Sequence, residues 1–140
     1  MYIVLETEIV FKVAQYKIGN HCVYNINYHI VFCPKRRKSI LAGDIVSDLE
    51  SIIHQAAQEV KAKVENIQIM PDHVHLFVSA SPAVAPHQIV KRIKGKSANI
   101  LMKKYKVKLP ALWSSSYYCG TVGHVSESVV KSYIDNQKGK

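Results

Sequence analysis

A chain of 140 residues, 48% hydrophobic and 21% charged, has the size and composition of one folded domain with a real core. No apolar run reaches the roughly 18 residues that span a bilayer, and an opening with Glu6, Glu8 and no basic lead-in argues against a signal peptide. Cys22, Cys33 and Cys119 form no CxxC pair and no disulfide framework, and read as small buried residues in a reducing cytoplasm. The formal net charge of +9 is unevenly placed: between Asp72 and Glu127 there is no acidic residue, whereas Lys91, Arg92, Lys94, Lys96, Lys103, Lys104, Lys106 and Lys108 all fall there. A merely solvated face mixes signs, so this interval predicts a polyanionic partner, nucleic acid ahead of acidic lipid or protein.

In chain order, residues 1–20 are hard to place, with Ile3, Leu5 and Ile9 fitting an extended edge segment. From Cys22 to Cys33 the residues alternate. Tyr24, Ile26, Tyr28, Ile30 and Phe32 point one way and Asn25, Asn27 and His29 the other, which predicts a strand with one packed face. PKRRKS is a basic loop. Leu41, Ile45, Leu49, Ile52, Ile53, Ala56 and Val60 carry helical spacing, starting near Asp44. A strand from about Val64 to Met70 follows, then a tight Pro71–Asp72 connection and the strand HVHLFVSA. Pro86 suits a helix start, and that helix is expected to reach about Lys104, with Gly95 weakening its middle. LPALWSSSYYCGTVG reads as a loop feeding a short strand from Tyr117 to Val122. Ser126 is placed to cap a last helix, with Glu127 in its first turn, running to the C-terminus.

The order β-α-β-β-α-β plus one helix predicts an α+β fold, the ferredoxin-like sandwich, with the first and third strands central and one sheet face open. Because strand side chains alternate, Val74, Leu76, Val78 and Ala80 must face the helices, and His73, His75, Phe77 and Ser79 the open side. Two imidazoles two residues apart on one strand lie about 7 Å apart at the backbone, and their rings can converge on one divalent ion. An HxH pair by itself equally fits two polar residues on a wet sheet face. On the last helix Tyr133 and Gln137 are four apart and share a face, beside the apolar Val130 and Ile134. That tyrosine also fits an ordinary docking residue between core and water.

Taken together, the block MPDHVHLFVSASP, the strand YNINYHIVFCPKRR, the segment IVKRIKGKSANIL, the WSSSYY stretch and the closing YIDNQ resemble the HUH superfamily of single-tyrosine nucleases (U is a hydrophobic residue). The chain is most similar to the single-tyrosine transposases of small bacterial and archaeal insertion sequences, with the REP-associated tyrosine transposases as close relatives. The resemblance runs from about Tyr24 to Gln137, leaves residues 1–20 unmatched, and implies one HUH domain with no appended helicase or zinc ribbon.

The resemblance implies Mg²⁺ or Mn²⁺ held by His73, His75 and Gln137, and Tyr133 as the nucleophile that forms a 5′-phosphotyrosine and frees a 3′-hydroxyl. The implied substrate is single-stranded DNA with hairpins at the element's ends, and the implied assembly a homodimer whose tyrosine helix completes either its own or its partner's histidine site. Lys35, Arg36, Arg37, Lys91, Arg92, Lys94 and Lys96 are the candidate phosphate contacts. Trp113, Tyr117 and Tyr118 are candidates for stacking on unpaired bases, with a core or dimer plug as the alternative for Trp113. Rival readings are a domesticated hairpin-specific endonuclease, a zinc hydrolase that leaves Tyr133 idle, and a non-catalytic nucleic-acid module. The last would need exposed aromatics where His73 and His75 stand.

Overall fold

The computed structural model describes residues 17–19, 21–121 and 127–140. Strand β1 (Lys17–Ile18) pairs with β2 (Val23–Tyr24) as a short separate ribbon. The main sheet is built from β3 (Asn27–Phe32), β4 (Ala62–Met70), β5 (His73–Ala80) and β6 (Tyr118–Thr121), in the spatial order β4-β5-β3-β6 with every pair antiparallel. Helix α1 (Asp44–Glu59) connects β3 to β4, α2 (Pro86–Tyr105) connects β5 to β6, and α3 (Glu127–Asn136) follows. This is the expected ferredoxin-like order, with the first and third main strands at the centre. Among the described residues no helix is long and apolar enough to cross a membrane.

The alternation in β5 is realised as a difference in burial. Val74, Leu76 and Val78 are fully buried against the helices, whereas His73, His75 and Phe77 on the other face are half-buried. Helix α1 contributes Leu49, Ile52, Ile53, Ala56 and Ala57 to this core, and α2 contributes Ile89, Val90, Ile93 and Leu101. Helical spacing put each set on one stripe, and a stripe is enough to cover one sheet face.

Three expectations are corrected. The strand predicted from Cys22 to Cys33 breaks at residues 25 and 26. Its partner β5 gives a last bond from Ala80 N to Ile26 O (3.0 Å) before Pro82 turns the chain, and the Asn27 amide donates to Asn25 Oδ1 at 2.6 Å. Local side-chain bonds of that kind compete with a ladder that has lost its partner. Helix α3 stops at Asn136; Gln137 N reaches back to Ile134 O at 3.1 Å in a tighter turn, and Gly139, at φ 85, bends the chain so that its N–H meets Arg36 O. Cys33 is buried as expected and Cys119 is half-buried, but Cys22 is exposed. Of the segment 1–20, for which an extended edge was expected, residues 1–16 and 20 lie outside the described residues, as do the end of the last strand at Val122 and the Ser126 cap.

The acid-free interval also acquires acids once folded. Glu59 on α1 pairs with Arg92 and Lys96 of α2 at 2.6 Å each, and Asp48 pairs with Lys104 at 2.7 Å. Trp113 is 6% exposed. It packs edge-to-face on Phe32 with ring centroids 4.7 Å apart, and its Nε1 donates to the buried Ser97 Oγ at 2.9 Å. The indole is therefore a core plug, with its one donor satisfied inside.

Leu76, with no exposed surface, tests the layer arrangement. Leu76→Ala is expected to cost about 2–5 kcal/mol. Urea unfolding should show a lowered midpoint with an unchanged slope.

Candidate active site

The open face is organised by strand register. Across it, His73 stands opposite Met70 of β4, and His75 stands opposite Gln68 of β4 and Val31 of β3; Val31 in turn faces Tyr118 of β6. Tyr118 is thus two strands, roughly 10 Å, from His75 in the same row. Helix α3 closes the β6 end of that row, with the rings of Tyr118 and Tyr133 6.0 Å apart. Val31 and Cys33, on this same face, are fully buried.

Each histidine has a defined partner. His73 Nδ1 lies 2.9 Å from Asp72 Oδ1; a carboxylate only accepts, so that nitrogen carries a proton and Nε2 is turned away from the carboxylate. His75 Nε2 lies 3.1 Å from His29 Nδ1, one ring donating and the other accepting. Burial lowers the pKa of His29. It also lowers that of His75, helped by the neighbouring imidazoles of His29 and His73. Both shifts favour neutral rings.

Tyr133 and Gln137 belong to a second, continuous hydrogen-bond network. Gln137 is 5% exposed, and its Oε1 accepts from Ser114 Oγ and Ser116 Oγ, each at 3.0 Å. Ser116 has a single hydroxyl proton, already given to Gln137, so the Tyr133 hydroxyl 3.1 Å away must donate to Ser116. Burial raises the pKa of the Tyr133 phenol. Ser116 could turn its proton to a phenolate, which acts the other way, but burial is the larger effect. The serines are held from below by Lys94, whose ammonium donates to the carbonyls of Ser114 (2.8 Å) and Ser116 (2.7 Å). Burial pushes that lysine down to about 8, and the Cys33 thiol up to about 11.

Arg37 joins the two networks. Its Nε is 3.0 Å from Asp72 Oδ2, and its Nη1 donates to Ile134 O of α3 at 3.1 Å and lies 3.6 Å from Asp135. The tight turn that aims it holds Arg36 and Arg37 at φ 59 and 52, unusual for residues with side chains. Lys35 N to Leu112 O (2.8 Å) and Gly139 N to Arg36 O (3.3 Å) brace the turn. One guanidinium therefore links the carboxylate that orients His73 to the helix that carries Tyr133.

The residues expected from the sequence are divided by the fold. His73 and His75 form one cluster and Tyr133 and Gln137 another, linked through Arg37 and Asp72. Arg37 and Lys94, expected at phosphates, spend their charge inside the protein, and Arg92 and Lys96 are paired to Glu59. Arg36 and Lys91 are exposed, and Lys35 is half-buried. Tyr117 packs beside the core with Lys94 5.9 Å from its ring centre. Sequence reasoning gave no role to Asp72, His29, Ser114 or Ser116. Asp72 directly before the first histidine and the run SSS were the available signals. Among the described residues no three His, Cys, Asp or Glu side chains converge as a metal cluster.

A ferredoxin-like sheet with HxH on its uncovered face, and a following helix laying a tyrosine beside that face, define the class of HUH single-tyrosine transposases. The chain belongs to the IS200-like transposase family, whose family model matches residues 22–137. It is 36% identical over 129 residues to the ISDra2 transposase TnpA of Deinococcus radiodurans, covering 89% of this chain and 92% of that one. It is 27% identical over 122 residues to the transposase of insertion sequence element IS200 from Salmonella typhimurium, covering 84% and 80%. A crystal structure described as that of a Deinococcus radiodurans transposase superposes with a TM-score of 0.82 at 29% identity, covering 89% of this chain and 99% of the other. A REP-associated tyrosine transposase bound to a REP hairpin shares the fold, with a TM-score of 0.56 at 11% identity over 84% and 69% of the two chains.

Lys94 gives a pH test of the serine clamp. Its folded pKa lies below the unfolded value near 10.5, so the unfolded chain binds the extra proton between about pH 8 and 10.5. The burial penalty is complete below pH 8 and disappears as pH rises through that window. Relative to Lys94→Met, wild type should therefore gain stability from pH 8 to 10.5, read from urea midpoints. A pH-independent difference would show that the ammonium is not buried.

Proposed function

We propose that this transposase cuts and rejoins single-stranded DNA at hairpin-marked element ends through a covalent bond to Tyr133, with His73, His75 and Gln137 holding a divalent ion. The observation that carries this reading is the ordered pair of networks: two oriented histidines, His73 on Asp72 and His75 on His29, on one side of the sheet row and a half-buried phenol on the other. The Deinococcus and Salmonella relatives are transposases by name, and the REP-associated protein of similar fold is bound to a hairpin.

The donor set fits Mg²⁺ or Mn²⁺ in part. Asp72 on His73 Nδ1 is the outer-shell partner that metal-binding imidazoles usually have, and neutral rings are the binding form. Gln137 has both lone pairs of its amide oxygen engaged by serines and joins the set by exchanging one of them. The bound ion would supply charge withdrawal from a phosphate oxygen and fix the scissile bond.

The chain's own groups supply the rest. The Tyr133 oxygen forms a bond to phosphorus as the P–O3′ bond breaks, the phenol proton is lost, and the 3′-oxygen takes up a proton. The phosphotyrosine retains the ester's energy, so a different 3′-hydroxyl can reverse the step without ATP. Ser116 fixes the phenol's direction, and burial raises the phenol's pKa, so the attack needs its proton removed. Arg36, Lys91 and Lys35 are the basic residues we assign to phosphates, on a homodimer working in the cytoplasm.

Incubating the protein with labelled single-stranded hairpin DNA and Mg²⁺ should give a DNA adduct mapped by mass spectrometry to Tyr133. Tyr133→Phe should abolish cleavage while retaining hairpin binding, and His73→Ala with His75→Ala should remove metal-dependent cutting. Cleavage by Tyr133→Phe would instead favour water as the nucleophile and the hydrolase reading.

The docking of α3 on Ser114, Ser116 and Arg37 of its own chain supports a site completed within one chain. Mixing Tyr133→Phe with the double histidine variant is then expected to leave cleavage absent. Recovered cleavage in the mixture would place the helix on the partner.

A further inference from the structure

A chain of three charge-assisted contacts runs from His73 to helix α3. His73 Nδ1 meets Asp72 Oδ1 at 2.9 Å, Arg37 Nε meets Asp72 Oδ2 at 3.0 Å, and Arg37 Nη1 donates to Ile134 O at 3.1 Å. Ile134 follows Tyr133 in the chain, and its carbonyl also accepts from the backbone N–H of Gln137 at 3.1 Å. That carbonyl lies in the last turn of α3, where a helix presents its negative end and favours a cation. The Arg37 and Asp72 side chains are 19% and 25% exposed, so the contacts are made largely out of water, where ionic hydrogen bonds are strong. Asp135, 61% exposed and 3.6 Å away, adds an ion pair that water screens. The backbone points the same way. Arg36 and Arg37 stand at φ 59 and 52, a region in which glycine is at ease and side chains are not. The Arg37 N–H donates to Pro34 O at 2.8 Å and closes the turn. A position whose backbone favours glycine is thus occupied by the side chain that makes the bridge.

We infer that Arg37 is the positioning residue that aligns the two halves of the site, holding the Tyr133 hydroxyl and the Gln137 amide in register with the histidine pair. It acts through Asp72 and the Ile134 carbonyl, not on DNA or the reacting atoms. The planar guanidinium suits this part, because Nε and Nη1 are two donors fixed in one plane. A lysine ammonium is a single point on a flexible stem. Attack on phosphorus depends on the register, since misplacing reacting groups by about 1 Å can cost on the order of 100-fold in rate. The role also accounts for a basic residue of PKRRKS that turns inward while Arg36 beside it is exposed. Resting on the proposed cleavage chemistry, it names what aligns the parts of that chemistry. Arg37 and Asp72 belong with the histidines, so the same grip serves an α3 lent by a second copy.

Arg37→Gly tests this directly, because glycine relieves the turn while deleting the bridge. With labelled single-stranded hairpin DNA and Mg²⁺, adduct formation at saturating DNA should slow roughly 100-fold, with the half-saturating DNA concentration unchanged. Guanidinium ion at millimolar concentration should restore part of the lost rate in Arg37→Gly and leave wild type as it was. Arg37→Lys keeps the charge without the fork and should stay about tenfold or more below wild type. A wild-type rate in either variant, or a loss in Arg37→Gly without rescue, overturns the inference. So does a loss confined to the half-saturating concentration, which marks a phosphate contact. If wild type forms no adduct, the tyrosine reading fails, and NMR of the DNA-free proteins then judges Arg37 alone. Faster amide exchange in α3 together with a shifted His73 imidazole resonance in Arg37→Gly supports the role. A change at only one of the two, or at neither, overturns it.

Discussion

The pairing of β3 with β5 decides what the remaining elements are able to do. These two strands are central, so both of their faces must be dealt with, and the period of two leaves no freedom in which residues go where. Once Leu76 and Val74 are committed to Ile30 and Phe32 under the helices, His73, His75 and His29 are forced onto the other face. A one-residue slip would bury three imidazoles and expose the aliphatic set. The chemistry of the face and the stability of the core are thus two readings of a single register.

On that face the polar groups are arranged as two ordered hydrogen-bond systems. Asp72 and His29 fix which nitrogens of the histidines are available. Ser114 and Ser116 fix the direction of the Tyr133 hydroxyl and the Gln137 amide. The serines are positioned through their backbone by Lys94, a cation taken largely out of water and compensated by two carbonyls. Such networks are costly if half satisfied, and that cost is why they hold one arrangement.

Much of this was legible from residue order alone, and the boundary is physical. Periodicity identified the strand face of His73 and His75, the stripes of α1 and α2, and the shared helix face of Tyr133 and Gln137, because each follows from backbone geometry. The break after Tyr24 was invisible because it depends on where β5 ends, 55 residues away in the chain. The roles of Asp72, Arg37 and Lys94 were invisible for a related reason. A long side chain chooses between solvent and an interior partner according to tertiary neighbours, and no spacing records that choice. Trp113 shows the same limit, since its position in WSSSYY is compatible with a stacking surface and with the plug it forms on Phe32.

The pairing of α1 acids with α2 bases has a consequence for how tightly DNA binding is tied to ionic strength. Affinity for a polyanion falls with salt in proportion to the counterions that cationic groups displace from it. A residue whose charge is already neutralised by Glu59 or Asp48, or spent on Asp72 or on buried carbonyls, displaces fewer. The slope of log affinity against log salt should accordingly be shallower than a formal charge of +9 suggests, and the folded arrangement of acids, more than their number, sets it.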